Sequence, residues 1–160
     1  MEVGMVASLG AVLIIGVALA ATLALRAGRR ALAGGLVGEI AEILDIIDSH
    51  DLERALAAFG EGRSAAPMLP RLSCVVFKAG ATRMPILGAH AGRLSAAFYA
   101  SIEALNEELT ALPAALPSGR ETQTALASAR LRRTVELGEE SLCALRDIVS
   151  RRRHDLIARA

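Results

Sequence analysis

Residues 3–25 read VGMVASLGAVLIIGVALAATLAL, with Glu2 ahead of them and Arg26, Arg29 and Arg30 behind. This uncharged run is rich in Val, Leu and Ile, each favourable for insertion at the centre of a membrane helix. At about 1.5 Å per residue it reaches roughly 34 Å as a helix, enough to cross a hydrocarbon core of about 30 Å. The leader Met1-Glu2-Val3 carries no basic residue, and the apolar run exceeds the roughly 7–15 residues of a signal peptide. Ala18-Leu19-Ala20 is therefore read as part of a retained signal-anchor and not as a cleavage site. The arginines on the C-terminal flank predict, by the positive-inside rule, an outward N-terminus and a cytoplasmic C-terminus. The expected organisation is a transmembrane anchor with its basic flank over residues 1–30 and a helical cytosolic domain over residues 31–160.

The rest of the chain is long enough for one compact domain. The net charge is +1, and the aromatic residues are only Phe59, Phe77, Phe98 and Tyr99. Such a chain offers neither the positive field nor the stacking platforms that nucleic acid requires. Lys78 is the sole lysine and Ala and Gly are abundant, a residue usage typical of GC-rich bacterial genomes. A core made of Leu, Ile, Val and Ala suits packed helices. The fold class expected is all-α: the anchor, then an irregular bundle of about four helices ending in a long C-terminal helix.

Leu32, Leu36, Ile40, Ile43 and Ile47 recur at helical spacing and mark the first cytosolic helix. Gly34, Gly35 and Gly38 weaken its start and predict a hinge next to the anchor. Asp48 or Ser49 is expected to cap a short helix over Leu52, Leu56 and Phe59, which Gly60 stops. Glu61–Pro70 reads as a loop. A helix is expected from about Ser73 to Arg83, broken at Met84-Pro85. The next helix is the most clearly amphipathic, with Leu94, Phe98, Ile102, Leu105, Leu109 and Leu112 on one face and Pro113 at its end. Ser118-x-x-Glu121 has the form of a capping box opening a helix from Gly119 to about Ile157. The apolar seam expected along it is Leu131, Val135, Leu142, Leu145, Val149 and Leu156. That seam is too long for one short neighbour, so either the first cytosolic helix covers the remainder or a second chain does.

Val76-Phe77-Lys78-Ala79-x-Ala81, Arg83-Met84-Pro85-Ile86-Leu87, Leu94 and Phe98-Tyr99 together resemble a segment recurring in bacterial single-span inner-membrane proteins of uncharacterised role. The likeness covers about residues 72–106. It departs from that pattern at Lys78 and Gly80, where the family carries Asp and Asn, and at Pro85, where it carries Gly. The resemblance implies a short anchor followed by a small helical cytosolic region, and no reaction or cofactor.

Glu39, Glu42, Asp45, Asp48 and Asp51 step by three along the first helix, with His50 beside them. Carboxylates with a His suit a divalent cation or acid–base work, but this spacing also suits a solvated face opposite the apolar one. Cys74 and Cys143 form no Cys-x-x-Cys pair and are expected to be reduced and buried. His90 and His154 stand alone. Nucleotide-loop, nucleophile-elbow and His-Glu-x-x-His patterns are absent from the sequence. Arg151, Arg152 and Arg153, with Arg146 and Arg159, form a basic cluster that fits a solvated helix end, lipid headgroups or a protein partner.

The expected role is a membrane-anchored cytosolic interaction or scaffold module without catalytic activity or cofactor. Its contact candidates are Leu142, Leu145, Val149 and Arg151–Arg153, and its membrane flank is Arg26, Arg29 and Arg30. The expected partners are the lipid bilayer and a second copy or another protein. The alternative is a ligand- or metal-dependent sensor or enzyme built on Asp48 and His50. The expected address is the bacterial inner membrane, crossed once.

Overall fold

Helix α1 runs unbroken from Glu2 to Ser49. No proline occurs before Pro67, so nothing in the sequence removes a ladder hydrogen bond, and the run is rich in Ala, Leu and Ile. The computed structural model describes the backbone of residues 2–67, 72–114 and 117–157, with side chains over 17–67, 72–114 and 118–150. All regular structure among the described residues is helical. After α1 come α2 (Leu52–Gly60), α3 (Val75–Gly80), a 3-10 segment (Ala81–Leu87), α4 (Ala89–Ala111), a 3-10 turn (Leu112–Ala114) and α5 (Pro117–Ile157).

The expected hinge is absent, because α1 passes straight through Gly34, Gly35 and Gly38. Gly34 and Gly38 face open space, while Gly35 receives Val76, whose Cγ1 lies 3.0 Å from where a Cβ would stand. Asp48 and Ser49 are the last residues of α1 and not caps of α2; that position falls to Asp51, at φ 43° and ψ 48°. Asp tolerates this left-handed conformation better than most residues. Its amide donates to the Asp48 carbonyl and its own carbonyl accepts from Ala55, so one residue closes α1 and opens α2. At the far end of α2 the left-handed residue is Gly62, at φ 73°. Gly60 instead lets α2 approach α5, with Thr124 Cγ2 3.1 Å from its would-be Cβ.

The helix expected over Ser73–Arg83 divides at Ala81, and its second half tightens into a 3-10 segment that carries Pro85 and continues to Leu87. Gly88, at φ 91°, then turns the chain into α4. Helix α5 starts at Pro117, so Ser118 lies inside the helix and the capping-box reading does not hold. Proline suits a first helical position, where its missing N–H has no partner to lose.

Helix α5 is the spine of the bundle. Phe98 Cε2 lies 3.0 Å from a would-be Cβ on Gly138, Ser101 Oγ is 2.6 Å from Thr134 Oγ1, and Arg130 pairs with Glu108 at 3.2 Å. Rising numbers on α4 meet falling numbers on α5, so the two are antiparallel. Leu44 also meets Gly138, Arg132 pairs with Glu53 at 3.2 Å, and Gly60 meets Thr124. Thus α1 and α2 lie end to end along α5 and pack against its described part from Thr124 to Leu145, whereas Val149 of the expected seam is exposed and Leu156 lies outside the described side chains. One core results, with Leu36, Ile40, Leu56, Phe98, Ile102 and Leu145 fully buried.

Candidate functional site

Glu39 reaches from α1 to the start of α3. Its Oε1 accepts the Val76 amide at 2.7 Å, and its Oε2 accepts the Phe77 amide at 3.1 Å and the Tyr99 hydroxyl at 2.6 Å. The N-cap residue of α3, Cys74, offers no side-chain cap, so a carboxylate from another helix satisfies the free amides, where negative charge also suits the helix dipole. Tyr99 is stacked on Phe77, with ring centroids 4.1 Å apart, and meets Phe98 edge-on at 5.1 Å. Burial, followed by the hydrogen bond to Glu39 and its charge, pushes the Tyr99 phenol far above its ordinary value. The phenol stays protonated and serves as a donor, fastening α3 to α1 and α4. Asn106 adds a clamp: its side-chain amide accepts from Leu72 N–H at 3.3 Å and donates to Leu72 carbonyl at 3.4 Å.

Glu39 therefore leaves the solvated acidic face on which the stepping pattern had placed it. Its spacing from Leu36 and Ile43, three and four residues, puts it on the same side of α1 as the core, a signal present in the sequence. Glu42, Asp45, Asp48 and Asp51 are exposed. His50 does not turn toward them: its Nδ1 lies 2.8 Å from the Ile46 carbonyl at the end of α1. Among the described residues, no three His, Cys, Asp or Glu side chains are grouped to hold a metal ion.

Two grooves flank α5. One, of about 560 Å³, lies at the α1–α2 corner, with Leu44, Ile47 and Leu131 in its lining and Asp48, Asp51 and Glu139 among its carboxylates. Its chemistry favours a cationic, partly apolar occupant. The other, of about 530 Å³, lies where α1, the start of α4 and the later part of α5 meet, and includes Arg29, Gly88, Leu94 and Ile148. Cys143 lines this groove and is exposed, unlike Cys74, so the expectation that both thiols are buried holds for Cys74 alone. Cys143 falls off the buried register of α5, between Leu142 and the half-buried Ala144.

Leu142 and Leu145 lie in the core of the chain itself, whereas Val149 is 43% exposed. The side chains of Arg151, Arg152, Arg153, Leu156 and Arg159 lie outside the described residues, as does that of His154. Of the arginines expected to flank a membrane span, Arg26 is exposed and Arg30 half-buried, and Arg29 Nη2 donates to the Leu87 carbonyl at 2.9 Å.

The anchor reading of Val3–Leu25 falls outside the described side chains as far as residue 16. Among the described residues, no helix is long and apolar enough to cross a membrane. Over the described part, Val17, Leu19, Leu23 and Leu25 are 56–62% exposed, and the residues from 17 to 27 are all exposed. No family model matches the chain, and neither a curated protein nor a solved structure matches it.

Proposed function

We propose that the protein is a membrane-anchored helical interaction module without catalytic activity, held at the inner face of a bacterial cytoplasmic membrane by the N-terminal part of α1. The observation that carries this reading is the exposure of Val17, Leu19, Leu23 and Leu25 on a helix that continues unbroken into the bundle. Leaving such side chains in water costs about 1.5–3 kcal/mol each relative to burial, and a contiguous exposed apolar surface marks a membrane or protein contact. Arg26, Arg29 and Arg30 follow directly and agree with a cytoplasmic bundle. With Leu142 and Leu145 buried within the chain, a protein partner is engaged through the acidic groove at the α1–α2 corner.

Fractionation of cells carrying C-terminal fusions tests this reading. An alkaline carbonate wash should leave the protein in the membrane pellet, and a C-terminal reporter active only in the cytoplasm should be active. Release into the supernatant, or a reporter active only outside the inner membrane, would contradict it.

A further inference from the structure

We infer that the end of the bundle nearest the anchor is a basic lipid-contact surface, taking the headgroups of an anionic leaflet; this rests on the membrane-anchored reading above. The fold gathers there charges that are far apart in sequence. Arg26, Arg29 and Arg30 stand on α1. The 3-10 segment lies against the same stretch: Arg83 Nη2 is 2.9 Å from where a Cβ on Gly28 would stand, and Leu87 receives the Arg29 hydrogen bond. Arg93 follows one turn into α4, its Nε donating to Ala89 carbonyl at 3.1 Å. In the register set by Gly138 and Leu44, Arg146 on antiparallel α5 comes level with about residue 36 of α1. Among the described residues, none of these six arginines forms an ion pair; the groove that Arg29 lines also holds Glu140 and Asp147.

The opposite end of α1 carries the other sign, with Glu42, Asp45 and Asp48 exposed and Asp51, beyond it, paired with Arg54. The molecule is polarised along α1, and a negative leaflet attracts the arginine end while repelling the carboxylate end. Geometry adds a second argument. Gly138 meets Leu44, so equal rise on antiparallel helices brings Ile157, the end of α5, to about the level of Leu25, where the apolar stretch ends. The basic residues of α1 thus lie within roughly a Debye length of the apolar boundary, where each arginine favours an anionic surface by roughly five-fold.

The full chain is reconstituted in nanodiscs of phosphatidylcholine alone or mixed with phosphatidylglycerol. It carries Thr82→Cys with Cys143→Ser and an environment-sensitive dye on the new thiol beside Arg83. Anionic lipid should shift the emission to the blue and raise quenching by lipid-borne quenchers several-fold. The effect should be lost in high salt and with Arg83→Glu plus Arg93→Glu, but kept with Arg83→Lys plus Arg93→Lys. Circular dichroism of each variant separates loss of contact from loss of fold. Protein that stays in the discs while its dye ignores lipid charge overturns this inference alone. Protein that does not enter the discs overturns the anchored reading as well.

Discussion

Glu39 holds together more of the structure than any other charged side chain described, since it accepts from two amides of α3 and from the Tyr99 hydroxyl. Removing one acceptor that serves several donors leaves each donor unsatisfied, and bonds to charged groups contribute about 1.5–3 kcal/mol. Glu39→Ala should therefore lower unfolding free energy by about 2–3 kcal/mol in urea titrations, and Tyr99→Phe by about 1–2 kcal/mol. The double variant should fall short of the sum, because both substitutions remove the same bond. Tyr99 also sets an alkaline limit. Its folded pKa is raised above the unfolded value near 10, so its contribution is complete below about pH 10 and declines as pH rises beyond it, when the unfolded phenol ionises and the folded one does not. Melting temperature measured from pH 9 to 11 should fall less steeply in Tyr99→Phe than in the wild type. At Asp51, φ 43° makes the side chain a compromise. Asp51→Gly should be neutral or slightly stabilising, and Asp51→Val should cost about 1–2 kcal/mol, both read from the same titrations.

Helices α4 and α5 are each built on a repeat of alternating threes and fours, which apolar residues reveal on α4 and only in part on α5. On α4, Ala91, Ser95, Phe98, Ile102, Leu105 and Leu109, continued by Leu112, are buried at alternating steps of four and three. On α5 the buried register is Thr124, Ala127, Leu131, Thr134, Gly138, Ser141 and Leu145, with Ile148 half-buried. This is the seam of an antiparallel coiled-coil-like pair. The face of α4 was legible because most of its positions are large and apolar. The face of α5 was only partly so, since Thr, Gly and Ser count as polar in a hydropathy pattern although they are the small residues that let helices approach. Val149 was included in the seam for its hydropathy, yet it falls one step off the register that ends at Ile148. The course of α1 through its glycines was hidden for a related reason: propensity marks Gly34 and Gly38 as weak, but the ladder on either side outweighs them. Gly34→Ala and Gly38→Ala, both facing open space, should each raise stability by about 0.5–1 kcal/mol. Gly138→Val should lower it by about 1–3 kcal/mol, because its added atoms meet Leu44 and the buried ring of Phe98. Thermal melts of the three variants check both signs.

At the scale of the whole molecule, α1 has a buried part and an exposed apolar part. Over Leu32–Ile47, α1 buries Leu36, Ile40 and Ile43 against the bundle; over Val17–Leu25 it presents exposed Val and Leu. Arg26, Arg29 and Arg30 lie at the change between the two. On the membrane-anchored reading proposed above, an unbroken α1 would let the angle of the helix in the bilayer set the orientation of the bundle, with the acidic groove at the α1–α2 corner at the end remote from the membrane. A helix of 48 residues is about 72 Å long. The most direct measurement is a nitroxide scan of the full chain in liposomes, one label at a time from Val17 to Leu36. Accessibility to oxygen should be high and to a water-soluble nickel chelate low at every position through Leu25, with a change at Arg26–Arg30 to a helical period reporting the bundle face. Ready access of the nickel chelate to positions 17–25 would contradict a single helix shared between bilayer and bundle.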